Sequence, residues 1–175
     1  MIRTWALGIA VLSSGCGGAG TSAPSDDGEV LAFASHFQNY RQWESFLTGE
    51  DPIDGSPHVA GRHTVYLNKR PPHGSTSFPV LTIMVKEIKT DDPAKTEIVA
   101  RAKRAGTYNS AGAVGWEWFE LAPVGENGVS IVWRNVSPPV GSDSYLGDLK
   151  GGCNACHHGD DTQSILSAPL QLSQF

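Results

Sequence analysis

Three residues near the carboxyl terminus have the types and the spacing that covalent haem chemistry needs. Cys153 and Cys156 are separated by two residues, and His157 directly follows the second cysteine. Two thiols at this spacing can each form a thioether with one porphyrin vinyl group, and the histidine can then bind the iron. A redox dithiol does not need the histidine, and a zinc site needs two further ligands. The pattern predicts one haem c, held through both cysteines with His157 as axial ligand.

The first sixteen residues are typical of a bacterial export signal. Arg3 supplies the positive start, and residues 5–12 form an apolar stretch that is too short to span a bilayer. Small residues follow and lead to Cys16. We therefore expect a lipoprotein-type signal over residues 1–15 and lipidation of Cys16, with an ordinary cleaved signal as the alternative. Covalent haem attachment also implies export in bacteria, so we place the protein on the periplasmic side of the membrane.

Composition separates a tether from a folded domain. Residues 16–29 are rich in Gly, Ser and Pro and cannot bury enough apolar surface to fold, so they are expected to form a flexible tether. Residues 30–175 are long enough for one domain with its own core. The chain has 13 basic and 18 acidic residues and a formal net charge of −5. This excess of negative charge disfavours binding to nucleic acid or to an anionic membrane surface. The lipid anchor is therefore the expected contact with the membrane.

The periodicity of the sequence predicts both helices and strands. Helical spacing of aromatic residues predicts a helix over residues 31–47, and the pair Asp92-Pro93 predicts the start of a second helix that ends near Arg104. Alternating or β-branched runs predict strands over residues 62–68, 81–88, 116–121 and 130–136. Short turns between strands favour antiparallel pairing. The predicted fold class is therefore α+β, with a small antiparallel sheet packed with helices and a c-type haem near the carboxyl terminus.

Four motifs that precede the haem motif carry a resemblance to a known family. They are Val65-Tyr66-Leu67-Asn68, Phe78-Pro79, the strand that ends Val85-Lys86-Glu87-Ile88, and Gly115-Trp116-Glu117-Trp118-Phe119. Their order, followed by a carboxyl-terminal C-x-x-C-H, resembles the cytochrome P-460 family over residues 31–160. The resemblance implies oxidation of hydroxylamine, alone or together with nitric oxide, at an open iron site, with electrons passed to an exported redox partner. It is also compatible with a homodimer.

The resemblance also singles out Lys86. In hydroxylamine-oxidising members the equivalent lysine is joined to a porphyrin edge carbon, whereas the related cytochrome c-prime-beta type keeps the fold without this bond and binds nitric oxide. Desolvation beside a porphyrin would lower the pKa of the Lys86 amine and favour its reactive form. The alternative is a lysine at a strand end that is paired with Glu87 or Glu97. Two other functions remain open: a gas-binding haem protein, and a lipid-anchored electron carrier with Met84 or an outside histidine as sixth ligand.

Four further residues are candidates for the chemistry above the iron. Arg62 and His63 begin a predicted strand, and either could donate a hydrogen bond to a bound N–O ligand. Glu117 and Glu120 lie on opposite faces of the tryptophan-rich strand, and a buried glutamate could accept a proton from the substrate. Each of the four could instead be a surface residue.

Overall fold

The computed structural model describes residues 31–49, 58–105, 107–136 and 152–175 and shows a six-stranded antiparallel sheet. Neighbouring strands in the sequence are neighbours in the sheet, which gives the order β1-β2-β3-β4-β5-β6. The strands are β1 Glu44–Gly49, β2 Arg62–Leu67, β3 Ile83–Lys89, β4 Glu97–Lys103, β5 Trp116–Val124 and β6 Gly128–Asn135. The only α-helix of the described residues is the single turn α1, Cys153–Cys156. Short 3-10 turns cover Ala34–Phe37, Tyr40–Gln42, Pro93–Lys95, Ala168–Leu170 and Leu172–Gln174.

Each face of the sheet is covered by one end of the chain. The N-terminal face carries Val85, Ala100 and Phe119, and the 3-10 turns pack Phe37 and Tyr40 against it. We call the other side the C-terminal face. It is lined by residues of β2 to β5 and covered by the segment that follows α1, and its buried apolar members include Val65, Leu67, Met84, Trp116, Trp118, Ile165, Leu170 and Leu172. Because side chains alternate along a strand, this arrangement assigns every strand residue to one of the two faces.

The predicted α+β fold packed with helices is wrong, because the described chain is mostly antiparallel sheet with very little helix. The helix expected over residues 31–47 is replaced by two 3-10 turns and then by β1. Asn39 separates the turns with a left-handed φ of 57°, and its amide donates to Asn127 O instead of continuing a helix. Phe37 from the first turn and Tyr40 from the second are both fully buried in the cluster on the N-terminal face.

The second expected helix, over residues 92–104, is also wrong beyond its first turn. Asp92 does cap the turn, since its side chain accepts from Ala94 N at 3.0 Å, and Pro93 follows in the first turn. The turn ends at Lys95, and β4 then pairs with β3 and β5. Both faces of β4 are buried, so its sequence lacks the apolar–polar alternation of a half-exposed strand. The four predicted strands are confirmed, with bounds that differ by up to three residues.

The expectations for the amino-terminal segment cannot be read from the fold. The signal over residues 1–15, the tether over residues 16–29 and the lipidation of Cys16 all fall outside the described residues. Among the helices of the described ranges, none combines the length and the apolar character that crossing a membrane would need.

Candidate functional site

The C-x-x-C-H motif forms the single turn α1 beside the C-terminal face. His157 N donates to Cys153 O at 2.9 Å and closes the turn. Cys153 packs against the apolar cluster of the C-terminal face, whereas Cys156 is exposed. Within the described ranges neither cysteine forms a disulfide. A thioether could therefore form at each sulfur without breaking a disulfide, and Cys153 already faces the sheet.

Asn154, one of the two residues between the cysteines, ties α1 to the sheet. Its Oδ1 accepts from Trp118 Nε1 at 3.0 Å, from Asn109 Nδ2 at 3.0 Å and from Ala113 N at 3.2 Å. Its Nδ2 donates to Asn109 Oδ1 at 2.9 Å and to Val136 O at 2.8 Å. These five bonds fix the position of the motif relative to β5. The sequence motif leaves this residue unspecified, so sequence reasoning did not select it.

His157 has the geometry of a neutral imidazole that is ready to bind a metal. Its Nδ1 lies 2.9 Å from Ser164 O, and because a carbonyl can only accept, Nδ1 carries the proton and Nε2 keeps its lone pair. The ring centroid lies 5.4 Å from that of Trp118 on the C-terminal face. Burial, followed by the positive charge of Arg101, lowers the pKa of His157 to about 3. The side chain is therefore neutral across the physiological range.

Lys86 lies on the same face as Met84 and the haem motif. In the register of the sheet it stands between Val65 of β2 and Val99 of β4. Burial among these apolar neighbours lowers the pKa of Lys86 to about 8, and Arg101 contributes in the same direction while Glu97 opposes it. About a tenth of the amine is therefore unprotonated at pH 7, far more than for a lysine with the ordinary pKa of 10.5. The proposed pairing with Glu87 does not occur, because Glu87 belongs to the opposite face and binds Arg41 at 2.7 Å.

Glu120 extends the row of residues that contains Lys86. Val99 pairs with Lys86 on one side and with Glu120 on the other, and Glu120 in turn pairs with Trp133 of β6. Two strand spacings separate Lys86 from Glu120, which corresponds to about 10 Å between their backbones. The Oε2 atom of Glu120 is buried, and the described residues provide it with no hydrogen-bond partner. A buried carboxylate oxygen of this kind is rare in native proteins and points to a ligand or a proton as its missing partner.

Glu117 lies on the other face, as the alternation along β5 predicts. Its carboxylate accepts from Arg134 Nε at 2.7 Å and from Arg134 Nη2 at 2.6 Å, and Arg104 Nη1 lies 3.5 Å away. This carboxylate is nearly fully buried and saturated by two arginines. Its geometry is that of a structural ion pair, away from His157 and Lys86.

The alternation of side chains along β2 decides which of Arg62 and His63 lies on the C-terminal face. His63 pairs with Ile88 and shares its face with Val65, which places it on the C-terminal face. It is 6 % exposed, and burial lowers its pKa, with the positive charge of Lys86 as the next contribution. Its Nε2 lies 3.3 Å from Val59 O. Arg62 is exposed and lies on the opposite face, so of the two only His63 faces the side of the haem motif.

A hydrogen-bonded pair lies at the end of the C-terminal face near Lys86. His58 Nδ1 is 2.5 Å from Glu97 Oε1, and Val59 N donates to Glu97 Oε2 at 3.1 Å. Sequence reasoning named Glu97 only as a partner of Lys86 and missed His58. Across the described stretches of chain, no cluster of three or more His, Cys, Asp and Glu side chains could hold a metal ion by itself.

Arg101 is the functional candidate that the sequence reasoning missed altogether. It pairs with Met84 in the register, and its Nε donates to Met84 Sδ at 3.3 Å while its Nη1 donates to Ser164 O at 3.2 Å. The guanidinium stacks over the rings of Trp116 and Trp118, at 4.8 and 5.8 Å from their centroids. Burial lowers the pKa of Arg101 to about 10. A strand assignment for residues 97–103 would have put Arg101 on the same face as Val99, although the register opposite Met84 comes only from the structure.

Comparison with protein-family models, curated proteins and solved structures gives no match for this chain. The interpretation of the site therefore depends on the chemistry and the positions of its own residues.

Proposed function

We propose that this protein is an exported mono-haem c-type cytochrome, similar to the cytochrome P-460 family, that oxidises hydroxylamine at an open iron position. One observation carries the proposal. Lys86 and Glu120 stand in a single cross-strand row on the face of the sheet that the haem motif covers. An amine with a lowered pKa and a carboxylate oxygen without a partner are thus directed to the side where the iron ligand His157 lies.

The residues present fit a covalently bound haem. Two unbridged thiols occupy one helical turn, and the neighbouring imidazole is neutral with its Nδ1 proton already donated to a backbone carbonyl. Metal-binding histidines characteristically make such a second hydrogen bond, which fixes the tautomer and the direction of the ring. Cys153 and Cys156 would hold the porphyrin edge, and His157 would hold the iron. The ring of Trp118, 5.4 Å from that of His157, supplies an apolar surface beside the proposed iron ligand.

Each polar residue of the face has a distinct part in this proposal. Cys153, Cys156 and His157 would hold haem c, which would supply the redox chemistry for oxidation of an N–O substrate and for electron transfer to an exported redox partner. Oxidation of hydroxylamine also releases protons, and Glu120 accepts one of them through its unpartnered Oε2. His63, on the same face, uses its Nε2 proton for Val59 O, so its Nδ1 is the atom that could accept a hydrogen bond from the substrate. The apolar neighbours of Lys86 exclude water from its amine.

Lys86 is the residue proposed to be joined to the porphyrin edge. The bond replaces one N–H and one C–H by a C–N bond, so it requires a two-electron oxidant, for which we propose a peroxide-class molecule. The reacting amine must be unprotonated, and the lowered pKa of Lys86 supports that state. The two alternatives, a gas-binding protein and an electron carrier, differ from this proposal in the bond to Lys86 and in the sixth iron ligand. The hydrogen bond from Arg101 to Met84 Sδ disfavours Met84 as that ligand.

The decisive experiment compares the exported chain with its Lys86→Ala variant by intact mass, optical spectrum and hydroxylamine turnover with a dye as electron acceptor. We expect one haem per chain in both proteins, and a red-shifted ferrous Soret band and turnover in the parent alone. Lys69→Ala, which removes an exposed lysine outside the face, is the matched control. A six-coordinate low-spin haem would support the carrier, and a five-coordinate haem without turnover would support gas binding. Absence of covalent haem would refute all three.

Export and lipidation are part of the same proposal and have a separate test. The native chain should partition into detergent and carry the mass of a lipidated Cys16, whereas the Cys16→Ser variant should not. A parent chain that stays in the aqueous phase would leave an ordinary cleaved signal as the explanation of the amino terminus.

A further inference from the structure

Arg101 and His157 donate to the same oxygen atom. His157 Nδ1 lies 2.9 Å from Ser164 O, and Arg101 Nη1 lies 3.2 Å from it. A backbone carbonyl has two lone pairs, so it can accept both bonds. The proposed iron ligand is therefore coupled to a buried cation through one peptide group, although the two residues are 56 positions apart in the sequence.

The charge of Arg101 is not cancelled by a bound carboxylate within the described residues. Arg101 contacts the thioether of Met84, the carbonyl of Ser164 and the two indole rings, all of which are neutral. Asp161 makes the largest favourable charge interaction with Arg101, but its Oδ1 is 2.7 Å from Lys103 Nζ and 2.6 Å from Trp116 Nε1. The pair of Asp161 and Lys103 is neutral as a whole. Arg101 thus leaves a net positive charge beside the imidazole.

We propose that Arg101 is a positioning residue that raises the reduction potential of the iron bound by His157, acting through the carbonyl of Ser164. This inference rests on the proposed function, since it requires a haem on His157. Arg101 lies outside the C-x-x-C-H motif, and the role proposed for it requires no contact with the substrate.

Two physical effects act in the same direction. The bond from Arg101 withdraws electron density from Ser164 O, so the carbonyl pulls less strongly on the Nδ1 proton and the imidazole donates less charge to the iron. The positive guanidinium also disfavours the ferric state more than the ferrous state, because the ferric iron carries one more positive charge in a site of low dielectric constant. Both effects stabilise the reduced iron and raise its potential.

Three substitutions separate the charge from the hydrogen bond. Arg101→Met removes both, Arg101→Gln keeps a donor for Ser164 O without the charge, and Arg101→Lys keeps the charge. The control is Arg104→Met, which removes a buried arginine from the opposite face, where Glu117 is its partner. Potentials are measured on the haem-loaded full chain by optical redox titration. The stretching frequency of the iron–histidine bond is measured by resonance Raman spectroscopy of the reduced protein.

We expect Arg101→Met to shift the equilibrium between ferrous and ferric iron at least tenfold towards the ferric form. This shift corresponds to a fall of about 59 mV in the reduction potential of a one-electron couple. Arg101→Gln should fall between this variant and the parent, and Arg101→Lys should stay closest to the parent. The iron–histidine frequency should rise in Arg101→Met, because Ser164 O then accepts more strongly from His157. Arg104→Met should leave both quantities unchanged.

Different results would refute the proposed role of Arg101 and the proposed function. A parent chain without thioether-bound haem would refute both. A parent with haem, and an Arg101→Met variant with an unchanged potential, would refute the inference alone. If Arg101→Met does not retain haem, the other two variants decide: a lower potential in Arg101→Gln than in Arg101→Lys supports the inference, and equal potentials overturn it.

Discussion

Trp116 Nε1 donates to Asp161 Oδ1 over 2.6 Å, and both side chains are almost completely buried. The same carboxylate accepts from Phe78 N at 2.7 Å and from Lys103 Nζ at 2.7 Å. One side chain of the carboxyl-terminal segment thus joins β4, β5 and the loop before β3. This bond set holds the segment that carries His157 and Ser164 against the sheet.

The first prediction is that Asp161→Asn destabilises the protein by about 3–5 kcal/mol, the usual effect of breaking a buried ion pair on one side. The substitution leaves Lys103 buried without a counter-charge and presents an amide where three donors converge. Asp91→Asn, at an exposed position, should change the free energy of unfolding by less than about 0.5 kcal/mol. Urea unfolding followed by tryptophan fluorescence measures both. Equal midpoints for the two variants would show that Asp161 is not the anchor.

A second prediction concerns the packing of Gly112 against Asn154. A Cβ atom on Gly112 would lie 2.1 Å from Asn154 Cγ, and the five hydrogen bonds of Asn154 prevent that side chain from moving aside. Gly112→Ala should therefore destabilise the protein by about 1–3 kcal/mol and reduce haem attachment. The Asn154→Ala background removes the obstacle, so Gly112→Ala should have little further effect there.

The control for this prediction is the double-mutant cycle itself. Unfolding of the two single variants and the double variant gives a coupling free energy, which we expect at about 1 kcal/mol or more for residues in contact. Additive effects of the two substitutions would contradict a direct steric conflict between Gly112 and Asn154.

The strand content was predictable where one local pattern dominated. The runs around Val65, Val85 and Trp118 combine β-branched or aromatic residues with flanking turns, and all became strands. Residues 97–103 were misassigned because a helical cap at Asp92 is a valid local signal whose continuation depends on neighbours. Residues 97–103 form a strand because they pair with β3 on one side and β5 on the other. Neither partner can be recognised from the sequence of residues 97–103 itself.

For the candidate site, the faces of single strands could be predicted from the sequence, whereas the cross-strand register could not, and the haem-binding role of the motif stays a prediction. The alternation along β5 correctly separated Glu117 from Glu120. The row that joins Lys86 to Glu120 depends on the register of β4 between them, and β4 was assigned to a helix. Arg101 was missed for the same reason. Asn154 and Ser164 act through contacts distant in sequence, which no local pattern encodes.

The third prediction separates the two glutamates of β5. Glu120→Gln should lower hydroxylamine turnover by about 10²-fold or more, the contribution of a general base, while stability changes little because Oε2 has no partner among the described residues. Glu117→Gln should have the opposite profile, with a loss of about 3 kcal/mol in stability, because Arg104 and Arg134 lose their shared carboxylate. Steady-state kinetics and urea unfolding of both variants provide the comparison. Equal loss of turnover would exclude Glu120 as the specific proton acceptor.

The fourth prediction uses the lowered pKa of Lys86. The test uses the Cys153→Ser/Cys156→Ser chain, which cannot form thioethers. In the folded chain the pKa of Lys86 is about 8, whereas in the unfolded chain it has its ordinary value of 10.5. Between these values the unfolded state binds more protons, so the stability of the Lys86 protein rises with pH. Lys86→Met should therefore stabilise the chain at pH 7, and this gain should shrink between pH 8 and 10.5.

Lys89→Met, at an exposed position of the same strand, is the control and should show no such trend. A gain from Lys86→Met that is independent of pH would assign the effect to apolar packing, and Lys86 would then lack the unprotonated amine that attachment to a porphyrin requires.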